Sequence, residues 1–307
     1  MDFTIFLLAQ IPPFLYAITN LIDKNLLDKY FPENGEMTLV IFSALASIIL
    51  VPLALVIEPD VMSISLKSIA VLALVSVINT LLLWSYLKAL AQEDPTVVII
   101  CYQMVPVLTL VSGELLLGET LNTGQLMAMA IIMLGTFIAG IDFKTEGKLT
   151  LKWRTLFFMG IACLCWSSET VIFKTVAIDE AVWPSIFWAS LIQVFIGILL
   201  FAFFKKDREI FLERFRSHGR RIFALNVTNE VLYLGGTTVT YLAAMQTAVA
   251  LVLLAQTFQA IYVFGLGILA SLLIKSLHKE QLDRRSVAAK LVAIAITGVG
   301  SYMLLSA

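Results

Sequence analysis

Charge is what this sequence has least of. Of its 307 residues, 14% are Asp, Glu, Lys or Arg and 60% are hydrophobic, where soluble domains carry about 25% charged and 45–50% apolar residues. Such a chain has too little polar surface to cover a globule in water, so lipid is its expected solvent; the mean hydropathy of +0.93 agrees. Cysteine is scarce too. Cys101, Cys163 and Cys165 all lie inside apolar runs, and an odd number of thiols in hydrocarbon is no disulfide framework. The two histidines, His218 and His278, stand in basic connections, which leaves no ligand set for a metal. A Gly-rich phosphate loop, a nucleophile elbow and a metal-ligand cluster are all missing. No soluble stretch is long enough to burn ATP. These absences exclude the common enzyme classes and an ATP-driven pump, and no cofactor is expected. The opening MDFTIFLLAQ lacks a basic n-region and a small-residue cleavage site, so the first apolar run is expected to remain as a spanning helix.

Long apolar runs are what the sequence has instead. A spanning helix needs about 20 mainly apolar residues. Ten such runs occur, at about 3–27, 36–57, 67–90, 95–117, 124–141, 155–178, 184–204, 221–244, 247–274 and 287–305. Two connections are long. The one from Asp142 to Arg154 divides the chain into a first set of five runs (1–142), a connector (143–154) and a second set of five (155–307). The other, Lys205 to Arg221, mixes basic residues with Ile210, Phe211, Leu212 and Phe215, which predicts a short interfacial helix against anionic lipid rather than a nucleic-acid patch.

The two sets of runs match in order. Tyr16–Lys24 reads YAITNLIDK and Trp166–Lys174 reads WSSETVIFK, each with an aromatic residue eight positions before a lysine (166 − 16 and 174 − 24 both give 150). WSYLKAL (84–90) pairs with VTYLAAM (239–245), YQMVP (102–106) with AQTFQ (255–259), and Gly135 with Gly298. Five is odd, so the second copy enters the membrane from the opposite side. The expected fold is an all-α membrane protein of ten transmembrane helices, arranged as two inverted five-helix repeats around a central cavity. Lys and Arg crowd one set of connections, including Lys29, Lys88, Lys144, Lys148, Lys152, Arg154, the 205–221 cluster, Lys275 and Lys279, whereas the other set holds Lys67 beside Glu58, Asp60, Glu119, Asp179 and Glu180. Basic loops stay cytoplasmic, which predicts extracytoplasmic termini.

Ionisable groups within spans mark pathways or sites. Residues four apart share a helix face, so Tyr16, Asn20 and Lys24 form one stripe and Trp166, Thr170 and Lys174 another. Both are expected to line or gate the cavity, with the lysines near opposite mouths; in the competing reading each lysine snorkels to the headgroups. Asp23 points another way from its neighbour Lys24 and is expected at the interface. Glu230, with Asn226 at i−4 and Asn229 beside it, lies deep in the eighth run, and Glu169 is similar in the sixth. A carboxylate there must take up a proton or find donors, so both are candidate proton or amine sites, unless each is a structural partner of a lysine. Tyr86, Tyr102, Gln103, Tyr241 and Gln256 complete the expected substrate-binding set. Pro12-Pro13 interrupts the first run, and the break should face protein or a water cavity.

With the paired five-helix halves, the aromatic-x7-Lys element at Tyr16/Lys24 and Trp166/Lys174, and the close LLLGETL (115–121), the whole chain resembles the drug/metabolite transporter superfamily, specifically its ten-helix EamA-type members. The resemblance implies a ten-helix basket with alternating access that moves amino acids, other metabolites, drugs or nucleotide sugars. Two features depart from it. Many members have cytoplasmic termini, and LLIKSLHKEQL (272–282) stands where a second Leu-Gly-Glu would fall. The expected function is secondary transport of a small polar or zwitterionic, amino-acid-like metabolite, with protons as a coupling ion. The protein is expected to work as a monomer in membrane lipid, without nucleic acid. The alternatives are a multidrug exporter of lipophilic cations and a non-catalytic membrane receptor or scaffold.

Overall fold

Apolar runs without internal turn signals fold as helices, and the computed structural model is helical throughout its ordered elements, with no strand among the described residues. It describes residues 2–31, 35–92, 95–140, 153–263, 265–266 and 284–306. In order the helices are α1 (Phe3–Lys29), α2 (Glu36–Ala46), α3 (Leu50–Ile57), α4 (Leu66–Leu90), α5 (Pro95–Cys101), α6 (Val105–Leu117), α7 (Thr123–Gly140), α8 (Trp153–Glu180), α9 (Val182–Phe203), α10 (Lys205–Ala244), α11 (Val249–Ala255) and α12 (Arg284–Ser306). Five are long and apolar enough to cross a membrane: α1, the Glu36–Ile57 pair α2 and α3, α4, α8 and α9; several shorter apolar helices accompany them. The connector residues 143–152, the stretch 272–282 with His278, and the lysines Lys144, Lys148, Lys152, Lys275 and Lys279 lie outside the described residues.

Local chemistry sets the ends. Asp2 caps α1 by accepting from the Thr4 amide at 2.8 Å. Ser65 caps α4 through the Ser68 amide at 3.2 Å. Asn122 and Gln125 cap α7 reciprocally, each side chain accepting from the other's amide (2.8 and 3.1 Å), the logic of a capping box. Gly118 ends α6 with φ +66°. The Glu119 amide then reaches back to the Gly113 carbonyl and the Gly118 amide to Glu114, a Schellman close that only glycine makes without strain. Single turns of 3-10 helix interrupt the apolar rods at Tyr102–Met104 and at Gln256–Phe258.

Two expectations change here. Pro12 and Pro13 do not interrupt α1, which runs unbroken through them, and both are buried. The 205–221 segment is not a separate interfacial helix. It is the first half of α10, a 40-residue rod about 60 Å long at 1.5 Å per residue, twice the roughly 30 Å hydrocarbon core. Phe211 holds this basic half to the bundle through the rings of Phe42 and Phe201 (6.1 and 5.8 Å between centroids).

The main packing pairs join an element before the connector to one after it: α1 with α10, α4 with α8, α6 with α11 and with α8, α7 with α12, and α2 and α3 with α9. The distribution of polarity is inverted relative to a water-soluble bundle. Leu115, Val56, Phe195 and Phe203 stand outside, while Asn20, Asp23, Glu169, Lys174 and Glu230 are buried. That inversion suits a hydrocarbon solvent, in which apolar surface costs nothing and polar groups gather inside.

Candidate functional site

The helices enclose a cavity of about 50 Å³ at the centre of the bundle. Its walls come from both halves of the chain: Tyr16, Thr19, Asn20 and Asp23 on α1, Leu82, Leu83 and Tyr86 on α4, Trp166, Glu169 and Thr170 on α8, and Tyr233, Thr237, Thr240 and Tyr241 on α10. Tyr102 from one 3-10 turn and Gln259, just past the other, complete it. A second cavity of about 20 Å³ adjoins it, lined by Thr19, Asp23, Leu39, Ser43, Leu83, Leu87, Asn226, Asn229, Glu230 and Tyr233. Both are small beside the roughly 300–1,000 Å³ of a filled ligand site.

Aromatic rings form a continuous wall. Tyr16 meets Tyr233 and Trp166 at 5.8 Å, Trp166 meets Tyr102 at 4.8 Å, and Tyr102 stacks on Tyr86 at 6.1 Å. The Tyr16 hydroxyl shares a 3.0 Å hydrogen bond with Thr237 Oγ1. Gly236 makes room for the Tyr16 ring: a Cβ there would stand 2.7 Å from its Cε1.

Three carboxylates are buried around the two cavities, and neutral donors hold them. Asp23 accepts from Asn229 Nδ2 at 2.7 Å and from the Tyr86 hydroxyl at 3.2 Å; that hydroxyl also lies 2.7 Å from Asn20 Oδ1. Glu169 accepts from Asn79 Nδ2 at 2.9 Å, and the same amide nitrogen donates to Tyr233 at 3.1 Å. Glu230 accepts from the Ser43 hydroxyl at 2.7 Å. None of the three pairs with a lysine or arginine among the described residues; the lysines of the spans are engaged elsewhere.

The lysines of the two stripes stand beyond the cavities, held by partners of their own. Neither Lys24 nor Lys174 lines either cavity. Lys24 Nζ donates to the Leu90 carbonyl at 3.1 Å and pairs with Asp28 at 3.1 Å. Lys174 Nζ donates to Glu119 Oε1 at 2.6 Å and to the Thr247 carbonyl at 2.8 Å. The reason is helical geometry. At about 100° per residue, a residue eight positions on lies about 80° round the helix, whereas one seven positions on lies only about 20° away. Asp23 therefore shares the face of Tyr16 and Lys24 does not. Asp23, expected at the interface, is buried at 8% exposure and borders both cavities.

Of the other anticipated residues, Tyr16, Asn20, Tyr86, Tyr102, Trp166, Glu169, Thr170 and Tyr241 meet at the larger cavity, and Asn226, Asn229 and Glu230 at the smaller. Gln103 and Gln256 are buried but line neither; Gln256 Nε2 instead donates to Thr240 Oγ1 at 3.3 Å. Missed in the sequence were Thr19, Thr237 and Thr240, whereas Asn79 and Tyr233 already stood out as polar residues within apolar runs. The run Gly235-Gly236-Thr237-Thr238-Val239-Thr240 inside an apolar stretch was the available signal for the two α10 threonines. Among the described residues no group of three or more His, Cys, Asp or Glu side chains could hold a metal ion.

The helical bundle thus turns apolar side chains outward, carries five helices long and apolar enough to cross a membrane, and gathers aromatic and polar side chains around a cavity within, as a multi-pass membrane protein does. Residues 3–141 match the model of the EamA-like transporter family. Less than half of the chain carries that match; the fold carries further. Over 99% of its length the chain is similar to a solved crystal structure of a protein, at a TM-score of 0.67 and 12% identity, covering 96% of that chain. That likeness is one of fold. No curated protein matches the chain.

Proposed function

We propose that the protein is a secondary active transporter that carries a small polar metabolite bearing an amine, amino-acid-like in size, through a cycle of alternating access. One observation carries the reading. The central cavity presents the carboxylates Asp23 and Glu169 within an aromatic wall, while the lysines of the spans are engaged outside it. Buried carboxylates without cationic partners favour a cationic group as guest, and aromatic faces add to that preference. Glu169, supported from behind by Asn79, takes the amine; Tyr16, Trp166 and Tyr102 enclose the remainder.

In this reading segments 1–142 and 155–307 are two inverted repeats of five helices, with the Lys- and Arg-rich connections in the cytoplasm. Three features support it. The helix pairs α1–α10 and α4–α8 exchange roles under the sequence correspondence. The 3-10 turns at Tyr102 and Gln256 occupy corresponding places. Lys24 and Lys174 each grip a carbonyl at or just beyond the end of the helix that carries Tyr86 or Tyr241.

A second reading, export of lipophilic cations, is favoured by the six aromatic residues of the wall. Counterflow in proteoliposomes separates the two. A labelled neutral amino acid exchanging at least tenfold faster than a quaternary ammonium dye, with Glu169→Gln abolishing exchange, supports the first. The reverse preference establishes the second. Exchange of organic anions without an amine would sink both.

A further inference from the structure

The smaller cavity is not an extension of the larger one in chemistry. Beside Leu39, Leu83, Leu87 and Tyr233, its lining gathers the carboxylates of Asp23 and Glu230, the hydroxyls of Ser43 and Thr19, and the amides of Asn226 and Asn229. Asn229 is 5% exposed. Its Nδ2 donates to Asp23, which fixes the other end of the amide as oxygen, and that Oδ1 is sealed from solvent with no partner. An orphaned acceptor in a buried site needs a donor or a cation. Neither Asp23 nor Glu230 forms an ion pair with a described residue.

The candidates for the missing partner can be sorted by size and charge. At about 20 Å³ the cavity takes one water-sized occupant, which excludes a carbon-bearing amine. Water would satisfy the amide oxygen but leave two carboxylates unopposed. A divalent ion usually takes six or more oxygen ligands or keeps several of its waters, and the cavity has no room for them. A small monovalent cation matches the all-oxygen donor set and the space.

We propose that this cavity binds one dehydrated sodium ion, held by Asp23, Glu230, Ser43 and Asn229. The site stands on the geometry alone; its use rests on the transport reading. Thr19, Asp23, Leu83 and Tyr233 border both cavities, so an ion at Asp23 fixes a wall of the substrate chamber. Through that shared wall ion occupancy and substrate affinity become linked, which is the requirement for driving transport with a sodium gradient.

The test is the thermal midpoint of the purified full-length protein in sodium, potassium or choline chloride at equal ionic strength. Sodium alone is expected to raise it by about 2–4 °C at saturating concentration. Glu230→Gln and Ser43→Ala should each remove that response, while Glu114→Gln, which deletes a carboxylate on the exposed side of α6, should keep it. If Glu230→Gln does not fold, Ser43→Ala and direct binding of radioactive sodium to the unaltered protein decide. Equal shifts in potassium or choline, no shift in sodium, or a sodium response that survives Ser43→Ala and Glu230→Gln would each overturn the site. A pH-dependent midpoint without a sodium effect would assign the cavity to a proton and overturn it likewise. Because the readout is binding, its failure leaves amine counterflow intact, and failure of counterflow leaves the binding result intact.

Discussion

Lys174 and Glu119 form a short ion pair, Nζ to Oε1 at 2.6 Å, and each partner also holds the start of α11. Glu119 Oε2 accepts from the Val249 amide at 2.8 Å, and Lys174 donates to the Thr247 carbonyl. The Schellman turn at Gly118 delivers the glutamate to this position. Two residues from different halves of the chain thus clasp the entry to a third element.

Both side chains of that clasp are mostly buried, at 10% and 16% exposure, so removing one partner leaves a desolvated charge. Glu119→Ala or Lys174→Met is expected to cost about 3 kcal/mol, read as a fall in thermal midpoint of several degrees. The exchanged pair Glu119→Lys with Lys174→Glu should recover part of the loss. A midpoint unchanged in both single variants would mean the pair contributes nothing.

Lys24, eight residues after Tyr16 as Lys174 is after Trp166, has a weaker setting. Its partner Asp28 is 59% exposed, and an ion pair of that kind is worth about 0–1 kcal/mol. Lys24→Met is therefore expected to lower stability by less than about 1 kcal/mol and to leave counterflow within twofold. A tenfold loss of transport would return Lys24 to the cavity and contradict the geometry.

The contrast between these lysines shows how far the sequence could be read. The long helices were legible because apolar length alone specifies them, and Glu169 and Glu230 because a carboxylate in hydrocarbon is conspicuous wherever it points. Direction was the harder quantity. A stripe taken at every fourth residue drifts by about 40° per step, so Lys24 was grouped with Tyr16 although Asp23 shares that face. Contacts between halves were beyond reach. Nothing in the sequence pairs Ser43 with Glu230 or Asn79 with Glu169, since residues on separate helices meet only once the bundle has packed. The first half of α10 was read as an interfacial segment because its basic composition hid the continuity of the helix.

Gly236 is the point at which α10 approaches α1 across the cavity. An alanine Cβ there would stand 2.7 Å from Tyr16 Cε1, closer than any relaxed contact, and a tight 3.1 Å from its Cζ. The ring is confined by Trp166 and Tyr233, so it cannot simply swing aside. Gly236→Ala is expected to cost about 1–3 kcal/mol and to reduce counterflow several-fold by displacing Tyr16. Gly219→Ala, with no atom within 4 Å of its added Cβ, is the control and should leave counterflow unchanged.

Tyr86 and Tyr241 occupy matching positions in WSYLKAL and VTYLAAM, yet they work by different physics. The Tyr86 hydroxyl serves two acceptors, Asn20 and Asp23. Tyr241 instead stacks its ring on Phe173, 3.6 Å between centroids at 8°, and Phe173 lies seven residues after Trp166 just as Asp23 lies seven after Tyr16. The first half thus places a carboxylate where the second places an aromatic ring, and only the former depends on the hydroxyl. Tyr86→Phe withdraws a donor from a buried carboxylate and should cost about 1–3 kcal/mol. Tyr241→Phe keeps its stacking and should cost under about 0.5 kcal/mol. Thermal midpoints of the two variants, taken side by side, check the claim. Equal losses would show that the two tyrosines do the same job after all.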